Sequence, residues 1–520
     1  MREVIGFWAA ATGVVLTLAA CGGSGGEDEG ATSGEDRQAA TTSEVGDVTT
    51  SDGEQTTSST TTVVAAREPT PGVPVATVSG PVEGGAHGFP FTPAVVDLAA
   101  AGYVEEEFFL EGTARAYDAA GPWSSDGIWP VVEASTAPYR TRLLVRRPVE
   151  ATDFNGTVVV EWFNVTSDTD LDPDFGFAAE ELLRGGYAWV GVSAQAAGVT
   201  STGGGQLSPT SAGLIGWDPE RYGTLEHPGD AYAYDIFSQA GNTLLAPGAV
   251  DPLVGLVPTL LLADGESQSA YRLLTYVNAI HPEALVYDGF LIHSRGGTGA
   301  PLGEGKLGGV PDPAQVRDDL GSPVFQVITE TDLFALGPPF PAARQPDTSA
   351  VRTWELAGTA HADAHYLESL LAQGSREFDD FLDLSALLTT VNTAPQYLSM
   401  HAAVRGLAEW AAGGKPPAVG SPIETADGAI VRDELGLALG GVRLPHVEAP
   451  IALLSGEDGV PLSGRTEPFD EATLVALYPN RTAYVDAVAS AADAAVAAGH
   501  LLPEDADVLI AEAHRSDLGG

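Results

Sequence analysis

The chain has 520 residues and carries 71 Asp and Glu against 24 Lys and Arg, a net charge of −47. A field of that sign repels nucleic acid and anionic membrane surfaces, so nucleic acid is excluded as a partner and direct adsorption on anionic lipid is disfavoured. Hydrophobic residues make up 44%, enough for a large core, and the single cysteine excludes a disulfide within the chain.

Residues 1–21 read as a signal peptide, with Arg2 as a thin positive start and an apolar stretch from Val4 to Ala20. That stretch is short and rich in Ala and Gly for a permanent span. It ends Leu18-Ala-Ala-Cys21-Gly, which resembles a bacterial lipoprotein box and makes Cys21 the expected site of lipidation. Several acyl chains suffice for stable anchoring, which puts the chain on the extracytoplasmic face of the cell membrane. Residues 22–72 are Gly, Ser, Thr, Asp and Glu with few apolar residues, the composition of a disordered tether.

Residues 73–520 read as the folded part. Glu106–Tyr117, Tyr139–Arg147 and Thr157–Asn164 form three expected strands, and Asp172-Pro173 opens a helix that stops at Gly185-Gly186. Ala188–Val192 is a fourth strand; a long Gly/Ser/Pro-rich stretch and a helix over Ala231–Leu245 follow. Thr259–Ala263 is a fifth, apolar and β-branched as a strand covered on both faces should be. Asp288–Ser294, Val324–Thr329 and Val351–Leu356 complete the set. Helices near 395–412, 480–499 and 503–516 follow, expected as an appendage packed on the same domain or over its site. Strands first joined by short links and then alternating with helices define an α/β fold with a mostly parallel sheet.

Between the fifth strand and its helix stands Gly265-Glu-Ser267-Gln-Ser269. So tight a turn leaves Ser267 at the apex with its hydroxyl projecting, and admits only small residues two before and two after. The helix that follows aims its first N–H groups at the turn, so the Gln268 N–H can meet a developing oxyanion. The alternative is a plain helix start with Ser267 as N-cap. A serine nucleophile needs a base and the base an orienting acid, and in an open parallel sheet such groups lie beyond the carboxyl ends of strands. The seventh strand ends Thr329-Glu330-Thr-Asp332, and the eighth is followed by Ala357-Gly-Thr-Ala-His361-Ala-Asp363.

The strings around Ser267, Asp332 and His361, with Tyr287-Asp-Gly-Phe-Leu-Ile-His-Ser-Arg-Gly-Gly297 and Gly440-Gly-Val-Arg-Leu-Pro445, resemble the α/β-hydrolase superfamily over about residues 100–450. More narrowly they are similar to a bacterial family of alpha/beta hydrolase domain proteins. The resemblance implies an α/β-hydrolase fold and a serine hydrolase without cofactor. Ser267 would be the nucleophile, His361 the base, and Asp332 or Glu330 the acid. Asp332 is favoured because acids of the superfamily sit slightly past the strand end. A second oxyanion donor is expected in the loop after the third strand, where Asn164 and Val165 stand, Val165 being taken as the candidate. The implied substrate is a small or lipid-like carboxylic ester. An amidase or acyltransferase with the same triad, and a non-catalytic envelope binding lipoprotein, are the alternatives.

Two rival serines are weaker. Ser294 has Ile292 two residues before it, which crowds an elbow, and Ser193 has no helix directly after it. His281, His293, His361 and His365 do not follow a metal-ligand spacing, so no metal is expected. Asp363 and His365 read as solvated or supporting groups. The 196–228 stretch, with Trp217, Tyr222 and His227, is either a wall of the pocket or a surface loop.

Overall fold

The computed structural model describes residues 67–203 and 207–518. Cys21, the leader before it and the tether up to residue 66 lie outside the described residues. The chain is seated on the fold from Arg67, ahead of the expected start at 73. The Arg67 backbone N–H donates to Pro258 O at 3.1 Å and its Nε donates to Asp288 at 2.7 Å.

Nine strands form one sheet: β1 (Thr77–Ser79), β2 (Tyr103–Ala119), β3 (Val131–Pro148), β4 (Thr157–Trp162), β5 (Ala188–Val192), β6 (Leu260–Glu266), β7 (Gly289–His293), β8 (Val324–Thr329) and β9 (Val351–Leu356). Their spatial order is β1-β2-β3-β5-β4-β6-β7-β8-β9. The first three pair antiparallel, as does β3 with β5, and from β5 onward all pairs are parallel. After β5 the chain returns across β4 to lay down β6, so the loops leaving β4 and β6 diverge from neighbouring strands. That reversal opens a crevice at the carboxyl edge, where α/β sheets place their sites. The fold is an α/β-hydrolase fold.

Helices cover both faces. The principal ones are α1 (Pro173–Arg184), α2 (Ala233–Leu245), α3 (Gln268–Thr275), α4 (Glu330–Phe334), α5 (Ala364–Glu377), α6 (Gln396–Ala411), α7 (Arg481–Ala498) and α8 (Pro503–Arg515). The period-2 geometry of β6 splits its side chains between two cores. Leu261 and Ala263 pack among Ile236 and Phe237 of α2 and Leu273 of α3. Leu260 and Leu262 pack among Phe177 of α1 and Leu407 of α6. Each such fully buried leucine contributes about 2 kcal/mol. Pro173 begins α1, where its missing N–H costs nothing, and the Glu161 carboxylate of β4 accepts the N–H groups of Asp174 and Phe175 at 3.0 and 2.9 Å.

Three features depart from the expected elements. α5 and a hairpin of β10 (Ala452–Val460) with β11 (Gly464–Pro468) were not anticipated. The 196–228 stretch is not a plain loop: it holds three short helices whose Val199, Leu214, Trp217 and Tyr222 build a core with Phe91 and Phe109. The C-terminal helices pack on the domain. Asp505 of α8 accepts from Arg184 of α1 at 2.6 Å and lies 2.9 Å from His401 of α6, and Ala492 of α7 joins the core around Leu398. Among the described residues no helix is long and apolar enough to cross a membrane.

Candidate active site

Ser267 stands alone between the end of β6 and the start of α3, with φ 56° and ψ −117°. Few residues with a Cβ adopt that backbone, and the surroundings enforce it. A Cβ on Gly265 would sit 3.2 Å from the backbone C and O of Ser269 and 3.3 Å from its Cβ, so the two positions must both be small. The Ser269 Oγ donates back to Glu266 O at 2.8 Å, and the Ser267 N–H donates to His293 O of β7 at 3.0 Å. The Ser267 side chain does not cap α3. Its Oγ instead lies 2.8 Å from Nε2 of His361.

His361 follows β9, and its Nδ1 is 2.8 Å from Oδ1 of Asp332. The other oxygen of Asp332 accepts the N–H and the Oγ1–H of Thr329 at 2.7 and 2.8 Å, completing a capping box at the start of α4. The helix start therefore fixes this carboxylate. Glu330 points elsewhere: it accepts from the N–H groups of Gly358 at 2.7 Å and Gly456 at 3.1 Å, and from Arg432 at 2.9 Å. It ties the β9 loop to β10. The hairpin also supports the histidine loop, since the Ala362 N–H donates to Leu462 O at 2.9 Å. The His361 N–H donates to Thr331 Oγ1 at 3.2 Å, and that hydroxyl donates to Gly456 O at 2.7 Å.

A fourth group was not anticipated. Oε1 of Glu266 lies 3.1 Å from Nε2 of His361. Asn164 Nδ2 donates to Glu266 O at 3.1 Å and to Oε2 at 3.2 Å. Burial raises the Glu266 carboxyl to about 7, against the opposing pull of His361. Burial pulls the His361 imidazole down, but Glu266 first and Asp332 next outweigh it and bring it to about 9. The only signal in the sequence was the place of Glu266 directly before the elbow serine, at the end of a buried strand.

Asn164 is thus committed to Glu266, which leaves Val165 to offer a backbone donor from the β4 loop. Its N–H donates to Gln268 Oε1 at a long 3.4 Å. Gln268 is the first residue of α3, so its N–H has no acceptor within the helix. The Gln268 N–H adjoins Ser267, and the Val165 N–H is loosely held by the Gln268 side-chain oxygen, which a substrate oxygen can displace. The arrangement has the parts for acyl transfer: a half-buried hydroxyl at the carboxyl edge of the sheet, a buried base bound to it, a fixed carboxylate behind the base, and backbone donors for an oxyanion.

The rival serines are placed otherwise. Ser193 Oγ donates to Asp170 at 2.5 Å and accepts from Arg142 Nε at 3.1 Å, deep in the core. Ser294 has a φ of 56° like Ser267, but no helix follows it and its buried Oγ has no partner. Asp363 is buried, not solvated, and caps α5 by accepting the Tyr366 N–H at 3.0 Å. His365 stacks on Tyr397 at 4.3 Å. His293 pairs with Asp174 at 2.8 Å, and burial holds it near 4. Among the described residues no group of three or more His, Cys, Asp or Glu is arranged to hold a metal ion. A cavity of about 910 Å³ between the far end of the β2–β3 hairpin and the 302–312 loop, lined by Trp123, Tyr117 and Asp312, includes none of Ser267, His361 and Asp332.

A fold and a site of this kind define an α/β hydrolase. The model of the alpha/beta hydrolase domain family matches residues 78–511, and the chain belongs to that family. Among curated proteins none matches. Among solved structures the chain is similar to a glucuronoyl esterase from Solibacter usitatus, at 10% identity over 60% of this chain and 88% of that one, with a TM-score of 0.26. It is similar also to a glucuronoyl esterase from Teredinibacter turnerae, at 14% identity over 60% and 80%, TM-score 0.27. A third is an esterase from Rhizomucor miehei, at 12% identity over 61% and 92%, TM-score 0.25.

Proposed function

We propose that the protein is a lipid-anchored, extracytoplasmic serine hydrolase of carboxylic esters. What carries the reading is the relay Ser267 Oγ to His361 Nε2 to Asp332, each step 2.8 Å, set at a strained turn ahead of a helix N-terminus. Ser267 attacks the acyl carbon while its proton passes to Nε2. Asp332 keeps the imidazole in the tautomer that can accept it. The N–H groups of Gln268 and Val165 receive the negative oxygen of the tetrahedral intermediate. His361 then gives its proton to the departing alkoxide, and water, deprotonated by the same imidazole, releases the acid from Ser267.

The test is a panel of acyl esters, with matched amides and with alcohols as competing acceptors, offered to the soluble fragment that lacks the leader. Turnover of esters with free acid as product is expected, together with labelling of Ser267 by a fluorophosphonate. Preferential cleavage of amides, or acyl transfer that outruns hydrolysis, would move the assignment to those activities. No turnover and no labelling would reject the enzyme reading.

For the anchor, Leu18-Ala-Ala-Cys21 behind an apolar stretch supports cleavage before Cys21 and acylation of its thiol. Mass spectrometry of the protein from the producing cell should find Cys21 as the first residue with acyl chains attached, and Cys21→Ser should abolish that mass. An unmodified Cys21, or a mature chain that starts elsewhere, refutes it.

A further inference from the structure

Resting on the serine-hydrolase reading, we infer that Glu266 is a second carboxylate of the catalytic machinery. It faces the same imidazole nitrogen as Ser267, stabilises the imidazolium formed during attack, and shifts the working range of the enzyme to alkaline pH.

The reasoning begins with the number of protons one nitrogen can hold. Nδ1 of His361 is committed to Asp332 at 2.8 Å, so its hydrogen stays there. Nε2 has one position and two oxygen neighbours, Ser267 Oγ at 2.8 Å and Glu266 Oε1 at 3.1 Å. While the imidazole is neutral, Nε2 presents a lone pair that accepts the serine hydrogen, and an ionised Glu266 has nothing to share with it. Once the proton sits on Nε2, the same contact becomes a charge-assisted hydrogen bond. The carboxylate cannot swing clear, because Asn164 holds its other oxygen at 3.2 Å and the residue is buried.

In the forward step the Ser267 O–H bond breaks, its hydrogen goes to Nε2, Oγ bonds the acyl carbon, and the carbonyl electron pair moves onto the oxygen. Glu266 makes and breaks no covalent bond. It lowers the energy of the imidazolium, the state reached only as attack proceeds, which is where stabilisation speeds chemistry. The same attraction acts in the resting enzyme, where it retains a proton on the imidazole and delays the free base.

The titratable groups around this pair come from five segments. Asp332 of α4 faces His361; His293 of β7 and Asp174 of α1 lie near Glu266, along with Tyr366 of α5 and Tyr271 of α3. His293 is kept neutral at ordinary pH by burial, so it does not neutralise Glu266. Glu266 and Asp332 are therefore the two groups that hold the His361 proton, and burial alone works against it.

Glu266→Gln keeps the size of the side chain and removes the charge. In this variant the rising limb of kcat/KM against pH, read with one activated ester, is expected to move down by about one unit or more. The plateau is expected to fall about tenfold to a hundredfold, since the imidazolium loses a partner. Glu266→Asp should leave the limb closer to wild type than Gln does. The ring-nitrogen NMR titration of His361 in wild type should have its midpoint above the ordinary histidine value of about 6.5. A limb that stays in place in Glu266→Gln, whatever the activity, overturns the inference and makes Glu266 a structural prop. Should that variant not fold, a wild-type His361 midpoint at or below the ordinary value overturns it equally. Fluorophosphonate labelling separates the two failures. Wild type unlabelled at Ser267 defeats the serine-hydrolase reading itself, whereas labelled wild type with an unmoved limb defeats only the role of Glu266.

Discussion

Ser267→Ala is expected to abolish ester turnover, lowering kcat by about 10⁴- to 10⁶-fold, while the fold survives. The loss should be large because no other hydroxyl can take its place. Ser269 is spent on the Glu266 carbonyl, Ser193 is bound between Asp170 and Arg142, and Ser294 lies just past the end of β7 with the same positive φ but no helix after it. The fold should survive because, among the described residues, the hydroxyl caps nothing and bonds only to His361. Alanine also accepts the backbone as well as serine does. Initial rates on one good ester, with circular dichroism and a thermal melt, check both halves. Residual turnover within about tenfold of wild type would mean that another nucleophile acts. Fluorophosphonate labelling at Ser193 or Ser294 would name it.

The parts of the sequence that could be read were those where local pattern and tertiary environment agree. β5, β8 and β9 begin and end where the apolar runs do, because each is buried on both faces and bounded by turn residues. β3 reaches back to Val131, past the expected start at Tyr139, although residues 132–136 are exposed and show no alternation. Pairing with β2, Ala119 opposite Val131, makes that half a strand, and no local signal carries it. The helix α5 had a readable cap in Asp363 and buried leucines at 367 and 370, but the face continues with Gln373, Gly374 and Glu377. Those polar residues are tolerated inside because Gln373 donates to Asp172 at 3.0 Å and Glu377 accepts the Thr92 N–H at 2.7 Å, partners more than two hundred positions away. Ser267 and His361 were legible for a physical reason: a tight elbow restricts residue types over five positions, and strand ends are punctuated. Glu266 was not, since β6 carries two buried acids, Asp264 and Glu266, and nothing singles out the second until the histidine beyond β9 is seen beside it.

Asp332→Asn is expected to cut kcat/KM by about 10⁴-fold, because an amide beside Nδ1 no longer selects the tautomer that leaves Nε2 free to accept. Part of the cost is local: Asp332 uses one oxygen on His361 and the other for the capping box at Thr329, and Asn supplies one acceptor beside an NH₂. A drop in melting temperature should therefore accompany the loss, and activity must be measured where the variant is folded. Glu330→Gln should behave in the opposite sense. Its carboxylate bonds Gly358, Gly456 and Arg432 and has no contact with His361, so the charge it loses is structural. Arg432 is partly exposed, so water takes over some of its solvation, and the stability cost is about 1–3 kcal/mol, below that of a fully buried pair. Its kcat/KM should stay within about tenfold of wild type at temperatures where it is folded, because Thr331 and the Ala362 contact with Leu462 still hold the histidine loop. The two variants thus separate by more than two orders of magnitude in rate, and the comparison needs only one ester and one melting curve each. A crippled but fully folded Glu330→Gln beside a near-normal Asp332→Asn would reverse the assignment of the acid and leave Ser267 and His361 as they stand.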